Sequence, residues 1–498
     1  MRLFKYLLPI FMAISLTTTA SILAQHAHGG GHGHEGGHAG DHHEGNHHEG
    51  DHHESGHHHE GHHHAESHLG GQDRSKYQQE LNDRDWDALR DFLQSKRESE
   101  VEKEGSDCGL TISGDVRTEW RHLTESGINN DGVYASLRGG NALKKDIPVS
   151  RNDFDIEANL RFDYICERSW AVLQLGYDNS AGVDDNEHPC KCTEDKSGKC
   201  SGCDPSGYHG SGSCDSLCLK KAYFGVNVYK CHDARIDIEL GRRNLYNVFD
   251  SQIEFLSRFD GILFKYQNSF CKTDWYWNTA GFVVDERVNH FAWVTEVGFL
   301  DINDYHIDLK YSFIDWRKNG KNRCGERNPR GFNFLVSQWT TAYHIDKKVY
   351  GMPVKLYAAY LRNHSNVNIV LPVNPIDSCG EKRTVKGQPN GWYVGATAGE
   401  VRKEGDYAFT IQYEWVGATA MPDDDASGIG TGNVLNNSFT ENGRSGNTNY
   451  KGLTLEFLYA LTDNLSIDSI LEFSKQIKKS IGGRHNYSKF ELEAIYAF

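Results

Sequence analysis

Hydrophobic and polar residues alternate with a period of two from about residue 110 to the C-terminus. The clearest case is 153–164, where one face carries Phe154, Ile156, Ala158, Leu160, Phe162 and Tyr164, and the other carries Asp153, Asp155, Glu157, Asn159, Arg161 and Asp163. The pattern recurs at 112–120, 222–228, 236–240, 275–283, 291–299, 305–313, 354–360, 407–415 and 465–473. Because successive side chains of a strand point to opposite faces, this period predicts β-strands with one apolar and one polar face.

The connections between these segments alternate in length. Short turns are predicted near 166–169, 230–234, 271–273, 302–304, 346–352, 401–406 and 461–464. Longer loops are predicted near 122–151, 180–218, 243–258, 285–290, 316–332, 363–391, 416–448 and 475–487. Short periplasmic turns and long extracellular loops are typical of outer-membrane barrels. We therefore predict an all-β fold over 106–498, an antiparallel transmembrane β-barrel of about 16 strands with both ends on the short-turn side.

The last strand supports this prediction. Residues 489–498 place Phe490, Leu492, Ala494, Tyr496 and Phe498 on one face. This ending resembles the C-terminal strand signal of bacterial outer-membrane barrels, which implies outer-membrane lipid and the insertion machinery as partners. A helical membrane protein is excluded, because no stretch after residue 25 approaches the roughly 18–20 apolar residues that a membrane helix needs.

Three segments precede the predicted barrel. Residues 1–24 combine Arg2 and Lys5 with a short apolar core and small residues before Gln25, which is typical of a secretory signal peptide. Residues 25–72 contain Gly, His, Glu and Asp with almost nothing apolar, which predicts a disordered arm. Residues 73–105 predict one charged helix. The predicted topology places the arm and the helix in the periplasm and the barrel in the bacterial outer membrane.

The disordered arm contains most of the 27 histidines, partly in a repeat of the form Asp-His-His-Glu-Gly. Neutral imidazole is the commonest protein ligand for Zn, Cu and Ni, and adjacent carboxylates add oxygen donors. We expect weak and variable binding of these metals by His26, His28, His42, His43, His47, His48, His52, His53, His57, His58, His59, His62, His63 and His64. No cofactor is expected to be required. The alternative is a soluble spacer without a metal role.

The 12 cysteines fit an exported protein, because disulfides persist outside the cytoplasm. Six crowd into the predicted loop at 180–218, namely Cys190, Cys192, Cys200, Cys203, Cys214 and Cys218. Disulfides of undetermined connectivity are favoured there over a zinc site, since no helical scaffold surrounds them. At the predicted short-turn rim, Cys108, Cys166, Cys231 and Cys271 can either bridge neighbouring turns or cross-link the barrel to other envelope proteins.

The polar phase of the strands identifies the predicted lumen. The pore-lining candidates are Asp115, Arg117, Glu119, Arg121, Asp153, Asp155, Glu157, Arg161, Asp163, Asp237, Glu239, Lys265, Asp308, Lys310, Glu491 and Glu493. Such residues tune the selectivity of a water-filled channel. Because acids outnumber bases in this set, a mild cation preference is expected. The 243–258 loop, flanked by Arg242, Arg243 and Arg258, is a candidate constriction that would instead favour anions.

Two short stretches resemble known outer-membrane families. Gly241-Arg242-Arg243, followed by Arg258-Phe259-Asp260-Gly261-Ile262, resembles the Gly-Arg and Arg-Phe-Asp-Gly pattern of alginate-export-type barrels. The segments 86–90 and 112–120 are similar to the start of the porin-like major outer-membrane proteins of Chlamydia-related bacteria. Both resemblances imply a pore. The first implies export of an acidic polysaccharide, and the second implies passage of small solutes.

Passive diffusion of small hydrophilic solutes or ions is therefore the expected function. A disulfide-linked envelope scaffold or adhesin, a polysaccharide exporter and a metal-uptake barrel are the alternatives, and a homo-trimer is one option for the assembly. An enzyme is not expected, because the sequence lacks a Gly-x-Ser-x-Gly motif. The net charge of −16 argues against nucleic acid as a partner.

Overall fold

The computed structural model describes the greater part of the chain after residue 107. The described ranges are 108–128, 149–183, 193–194, 200–201, 208–209, 217–231, 234–270, 273–285, 290–318, 333–349, 351–365, 368–372, 382–422, 425–429, 448–479 and 484–498. The predicted signal peptide (1–24), His-rich arm (25–72) and helix (73–105) lie outside these residues. Within them, no helix is both long and apolar enough to cross a membrane.

Sixteen long strands follow one another along the chain. They are β1 (Cys108–Ile128), β2 (Val149–Cys166), β3 (Ser169–Val183), β4 (Leu217–Lys230), β5 (Ala234–Asn244), β6 (Arg258–Phe270), β7 (Thr273–Asp285), β8 (His290–Leu300), β9 (Ile307–Lys318), β10 (Asn333–Val349), β11 (Met352–Asn363), β12 (Asn390–Gly399), β13 (Tyr407–Val416), β14 (Tyr450–Ala460), β15 (Leu465–Gln476) and β16 (Arg484–Ala497). Each strand pairs antiparallel with the next. β16 also pairs antiparallel with β1, which closes the sheet. The prediction of an antiparallel barrel of about 16 strands is confirmed.

Smaller elements lie in the connections. Thr193–Glu194 pairs with Cys200–Ser201, Tyr208–His209 extends β3, and Asn368–Pro372 pairs with Lys382–Lys386. Two short 3-10 helices cover Leu245–Asn247 and Ile302–Asp304.

The two faces of the strands are segregated as the alternation predicts. On β2, the side chain of Phe154 is 43% exposed on the outside of the barrel, whereas its neighbour Asp155 is 3% exposed on the inside. Large exposed aromatic side chains recur around the outside, among them Trp293, Trp339 and Tyr360. An apolar outer surface with aromatic residues is what a lipid bilayer requires of a barrel.

The short turns and the long loops lie at opposite ends of the barrel. A disulfide joins Cys108, at the start of β1, to Cys166, directly before the first short turn, with a Cα–Cα distance of 4.0 Å. The last residue also lies towards this end, because the Phe498 amide donates to the Gly114 carbonyl at 3.0 Å. Both ends of the sheet are therefore on the short-turn side, as predicted.

Two of the long connections fold into the barrel. The first inner loop is 245–257, between β5 and β6. The second inner loop comprises 417–422 and 425–429, in the connection between β13 and β14. Both contact inward-facing side chains of the wall, for example Asp250 with Lys310 and Ile429 with Glu414. Their residues are buried almost throughout.

An apolar core fills part of the interior near the long-loop end. The inner loops contribute Leu245, Tyr246, Phe249, Ile253, Phe255, Ala420, Met421, Ala426 and Ile429. The facing strands contribute Phe259, Leu263, Phe282, Val294, Ile314, Trp316, Phe334, Val336, Leu361, Tyr393 and Tyr450. Burial of this apolar surface holds the inner loops against the wall, at about 25 cal/mol for each Å² removed from water.

Candidate pore

The inner surface has two parts with different chemistry. One is the apolar core, built on β6 to β14. The other is a charged wall, built on β15, β16, β1, β2, β3 and β4. Its buried charged side chains are Asp115, Arg117, Glu119, Arg121, Asp155, Glu157, Arg161, Asp163, Lys220, Lys221, Asp468, Glu472, Lys489, Glu491 and Glu493. The charged wall offers many hydrogen-bonding groups to ions and polar solutes, whereas the apolar core offers few.

A row of four carboxylates crosses the charged wall. Direct cross-strand pairing places Asp155 beside Glu119, Glu119 beside Glu493, and Glu493 beside Asp468. Side chains that face each other across antiparallel strands have Cβ atoms about 4.5–5.5 Å apart, and like charges at that spacing repel. We call these four residues the acidic row. A sheet tolerates such a row when cations lie close to it.

Two arginines neighbour the acidic row. The Arg121 Nε lies 2.8 Å from the Glu119 carboxylate, and the same guanidinium contacts Asp155. Arg117 is more distant from Glu493, at 3.9 Å, and its Nε donates to Asp115 at 2.8 Å. The wall as a whole is acidic, since its buried acids outnumber its buried bases.

The flanks of the wall are closely paired networks. On β15 and β16, Lys489 lies 3.2 Å from Glu472 and 3.0 Å from Glu491. On β2, the Arg161 guanidinium binds the Asp163 carboxylate through two nitrogens, at 2.7 and 2.8 Å. These lysine and arginine side chains bind carboxylates at short range, which reduces their effect on a passing ion.

A bulge brings an additional cation into the wall. The register between β3 and β4 shifts at Gln174 and Leu175, and Lys220 and Lys221 are both buried. The Lys220 amine bonds to Glu157. Its side chain lies over Gly176, where an added Cβ would meet the Lys220 Cε at 2.5 Å, so a larger residue there would displace this lysine from its present position.

The predicted residues of β5 and β6 form a separate network on the inside. The Glu239 carboxylate binds Lys265 at 2.6 Å and contacts Arg243, whose guanidinium stacks 4.7 Å from the Tyr223 ring. Asp237 is buried nearby and accepts a bond from Asn227 at 2.8 Å. Arg243 is thus bound to the Glu239 carboxylate of β5.

Hydrogen bonds attach the first inner loop to the strands. The Asp250 carboxylate accepts from Lys310 at 2.8 Å, and its amide donates to Glu296 at 3.0 Å. Gln338 donates to the Asp250 carbonyl at 2.8 Å and accepts from the Ser251 hydroxyl at 2.8 Å. Lys310 therefore helps to hold the loop in place.

The remaining predicted pore residues are dispersed. Arg242 lies on the outward phase of β5, and its guanidinium binds the exposed Asp260 carboxylate at 2.6 and 2.7 Å. Arg258 pairs across the sheet with Asn244 and is partly buried. Asp308 accepts from His344 at 3.0 Å, near the short turns. The position of Asp153 in β2 is described, but its side chain is not.

Only some of the predicted cysteines, and none of the predicted metal-binding histidines of the arm, lie among the described residues. The Cys108–Cys166 disulfide agrees with bridging at the short-turn rim, while Cys231 is an exposed free thiol. Cys218, predicted as part of a loop disulfide, is a free thiol at the start of β4, 3.4 Å from the Gly176 carbonyl. Most of the loop cysteines with which it could pair are not described, so the loop disulfides stay a prediction. Cys190, Cys192, Cys203, Cys214, Cys271 and the metal-binding histidines of the arm lie outside the described residues. Inside them, no group of three or more His, Cys, Asp or Glu side chains is placed to hold a metal ion.

Sequence reasoning missed the apolar residues of the interior. Near its long-loop end, β9 turns the apolar Ile314 and Trp316 inward and the charged Asp315 and Arg317 outward. This reverses the arrangement at Asp308 and Lys310 lower on the same strand. Such residues can be recognised from the sequence where a strand approaches a long loop. There the apolar side chains take the inward positions and the polar side chains take the outward positions.

No protein-family model matches the chain, and no curated protein matches it by sequence. Among solved structures, it is similar to OprB of Pseudomonas putida (11% identity, 78% of this chain and 94% of that one, TM-score 0.43). It is also similar to the outer membrane channel DcaP of Acinetobacter baumannii (10% identity, 79% and 98%, TM-score 0.41) and to an anion-selective porin from Comamonas acidovorans (11% identity, 78% and 100%, TM-score 0.39). These structures do not bear on the resemblances to chlamydial and alginate-export barrels.

Proposed function

We propose that this protein is a channel of the bacterial outer membrane through which small hydrophilic solutes and ions diffuse passively. One observation supports the proposal above all others. A closed barrel of sixteen strands carries apolar side chains outside and a continuous wall of charged side chains inside. A barrel with that number of strands is wide enough for an aqueous channel, and charge on its inner surface is expected where water enters.

Single-channel conductance tests this proposal. The mature protein, refolded into a planar bilayer, is expected to produce discrete current steps that scale with salt concentration. Heat-dependent migration in a denaturing gel provides an independent check that the barrel has folded. A correctly folded barrel without current steps would contradict the pore and would favour a scaffold or adhesin.

The acidic row is proposed to make the channel prefer cations. Four neighbouring carboxylates create a negative potential that raises the local concentration of cations. The paired arginines reduce this potential without reversing it, because the wall holds more acids than bases. In a salt gradient the reversal potential is therefore expected to have the sign of a cation-preferring pore.

Matched variants connect this preference to the row. Neutralising two members, Glu119→Gln with Glu493→Gln, is expected to move the reversal potential towards zero or into the anion range. The control is Asp260→Asn, which removes a carboxylate of the outer surface that pairs with Arg242. An equal shift in both proteins, or anion preference in the unmodified protein, would contradict the assignment and would favour a constriction by arginine.

We also propose how the protein is placed and assembled in the outer membrane. The outer surface contacts lipid, the C-terminal strand engages the insertion machinery, and a homo-trimer is a testable assembly. Because β1 begins at the short-turn end, residues before Cys108 are expected on the periplasmic side. Chemical cross-linking in native membranes, followed by mass determination, distinguishes a monomer from a trimer.

We further propose that the His-rich arm, residues 25–72, buffers zinc, copper or nickel beside the pore. The support comes from its repeated histidines and carboxylates. Calorimetric titration with zinc is expected to show several weak sites in the full mature chain and none of them after deletion of 26–71. Unchanged zinc binding after the deletion would contradict a metal role and leave the arm a spacer.

A further inference from the structure

The two inner loops meet in an interface formed largely by one carboxylate. Asp425 of the second loop accepts from the Phe255 amide at 3.2 Å and from the Ser257 amide at 3.0 Å. Backbone bonds run from Leu256 to the Asp425 carbonyl at 3.3 Å and from Ser427 to the Ile253 carbonyl at 2.9 Å. Amide bonds to an ionised acceptor are about twice as strong as neutral ones. The second loop therefore holds the first in its inward position.

A second carboxyl group is buried at the same interface without compensation. Glu254 is 1% exposed, and neither of its side-chain oxygens has a hydrogen-bond partner in the described part of the chain. The next residue, Phe255, has a φ of 74°, which is rare and strained for a bulky side chain. The backbone thus maintains an unusual conformation that keeps Glu254 inside.

The charged groups around this interface do not offset a charge on Glu254. Asp425 faces it from the second inner loop, and Glu414 of β13 lies close to Gly428 in the same core. On the opposite wall, Glu296 and Lys310 both contact Asp250, and Lys310 is engaged in that ion pair. Burial, and then the negative charge of Asp425, raise the pKa of Glu254 well above the ordinary value of a carboxyl group.

We propose that this interface is an alkaline-sensitive latch of the channel, closed while Glu254 keeps its proton and released when the proton passes to water. The inference rests on the proposed pore, whose open path the inner loops would narrow. When Glu254 ionises, its charge is buried beside Asp425, and separation of the loops lets water solvate it. The pH response of the channel then depends on Glu254 in the core, and the charged wall is unchanged.

The direction of the pH effect follows from linkage. In released loops Glu254 is hydrated and has a pKa of about 4.3, whereas docking raises that pKa. The docked state is therefore fully favoured below the ordinary carboxyl pKa, and this advantage is lost as the pH rises through the raised pKa. Between those limits, the ratio of docked to released channels falls by up to about tenfold for each pH unit.

The experiment compares single-channel records at about pH 5 and about pH 9 for the mature protein and three variants. The unmodified channel is expected to dwell in a larger conductance state at the higher pH. Glu254→Gln, an uncharged isostere, is expected to remain in the smaller state at both. Asp425→Asn, which removes a charge and weakens the interface, should release the loops at a lower pH. Glu404→Gln, in an exposed short turn, is the matched control and should behave like the unmodified protein.

Hydrogen exchange of peptides covering 245–257, corrected for the intrinsic effect of pH, measures loop release without any current. Protection that is lost at the higher pH, and retained in Glu254→Gln, supports the latch. Equal protection and equal conductance at both pH values, or a full response in Glu254→Gln, would overturn it. If the protein forms no pore, the recordings show no current steps, but the hydrogen exchange of this loop can still depend on pH. Failure of the proposed pore is therefore distinguishable from failure of the latch.

Discussion

Removing the side chain of Trp316 is expected to destabilise the barrel by more than removing a tryptophan of the outer surface. Trp316 is 0% exposed and belongs to the apolar core. Its ring lies 5.9 Å from that of Phe282 in an edge-to-face arrangement and 5.8 Å from the ring of His290. Directly across the sheet it pairs with Phe334 and Ala292, so Trp316→Ala leaves a cavity among well-packed neighbours.

The size of the effect follows from that environment. Truncation of a fully buried tryptophan to alanine costs about 3–5 kcal/mol, from lost transfer free energy and from the cavity. Trp339→Ala deletes the same atoms from β10, but the Trp339 side chain is 50% exposed on the outer surface. Its loss is expected to cost less than the loss of Trp316, because a side chain of the outer surface leaves no cavity in the interior.

Two measurements on refolded protein check this pair. Urea titration in lipid vesicles gives the free energies of unfolding, and planar-bilayer recording gives the conductance. Trp316→Ala should lower the free energy of unfolding by more than Trp339→Ala, and neither variant should change the conductance, because neither residue belongs to the charged wall. A larger loss of stability in Trp339→Ala would show that the assignment of inner and outer faces near the long-loop end is reversed.

Three further changes probe the elements that hold the channel together. Cys108→Ser is expected to lower the free energy of unfolding by about 2–4 kcal/mol. Mass mapping of the unmodified protein without reduction should recover the linked peptides that contain Cys108 and Cys166. Gly281→Val should cost about 1–3 kcal/mol in the same urea titration, since its added Cβ would lie 2.2 Å from the Trp293 ring; a neutral result would mean that the ring moves freely. Lys310→Met should cost only about 1 kcal/mol, because its ion pair with Asp250 is partly exposed, but it should increase current noise by loosening the first inner loop.

The outer architecture could be predicted because each strand records its own environment. Phe154 and Asp155 are neighbours in sequence, and the pleat sends one to the outside and the other to the inside. The lengths of the connections then determine the number and the order of the strands. Both signals are local, so neither requires knowledge of which distant residues meet.

The interior could be predicted only in part. Three members of the acidic row were predicted as separate inward acids, but Asp468 was not, and register alone places Asp155, Glu119, Glu493 and Asp468 side by side. These residues come from opposite ends of the barrel sequence, and closure of the sheet brings them together. The selectivity argument therefore depends on the pairing of β16 with β1.

Taken alone, the sequence determined the fold class, the strand count and the face of most strand residues, because alternation and turn length are local consequences of backbone geometry. Tertiary structure decided that 245–257 folds inward, that a second loop meets it, and that Asp425 joins them across a large separation in the chain. It also decided that Trp316 lies inside among apolar partners supplied by these loops. The physical reason is that a side chain's burial near a long loop depends on what the loop covers, and only packing among distant segments settles that.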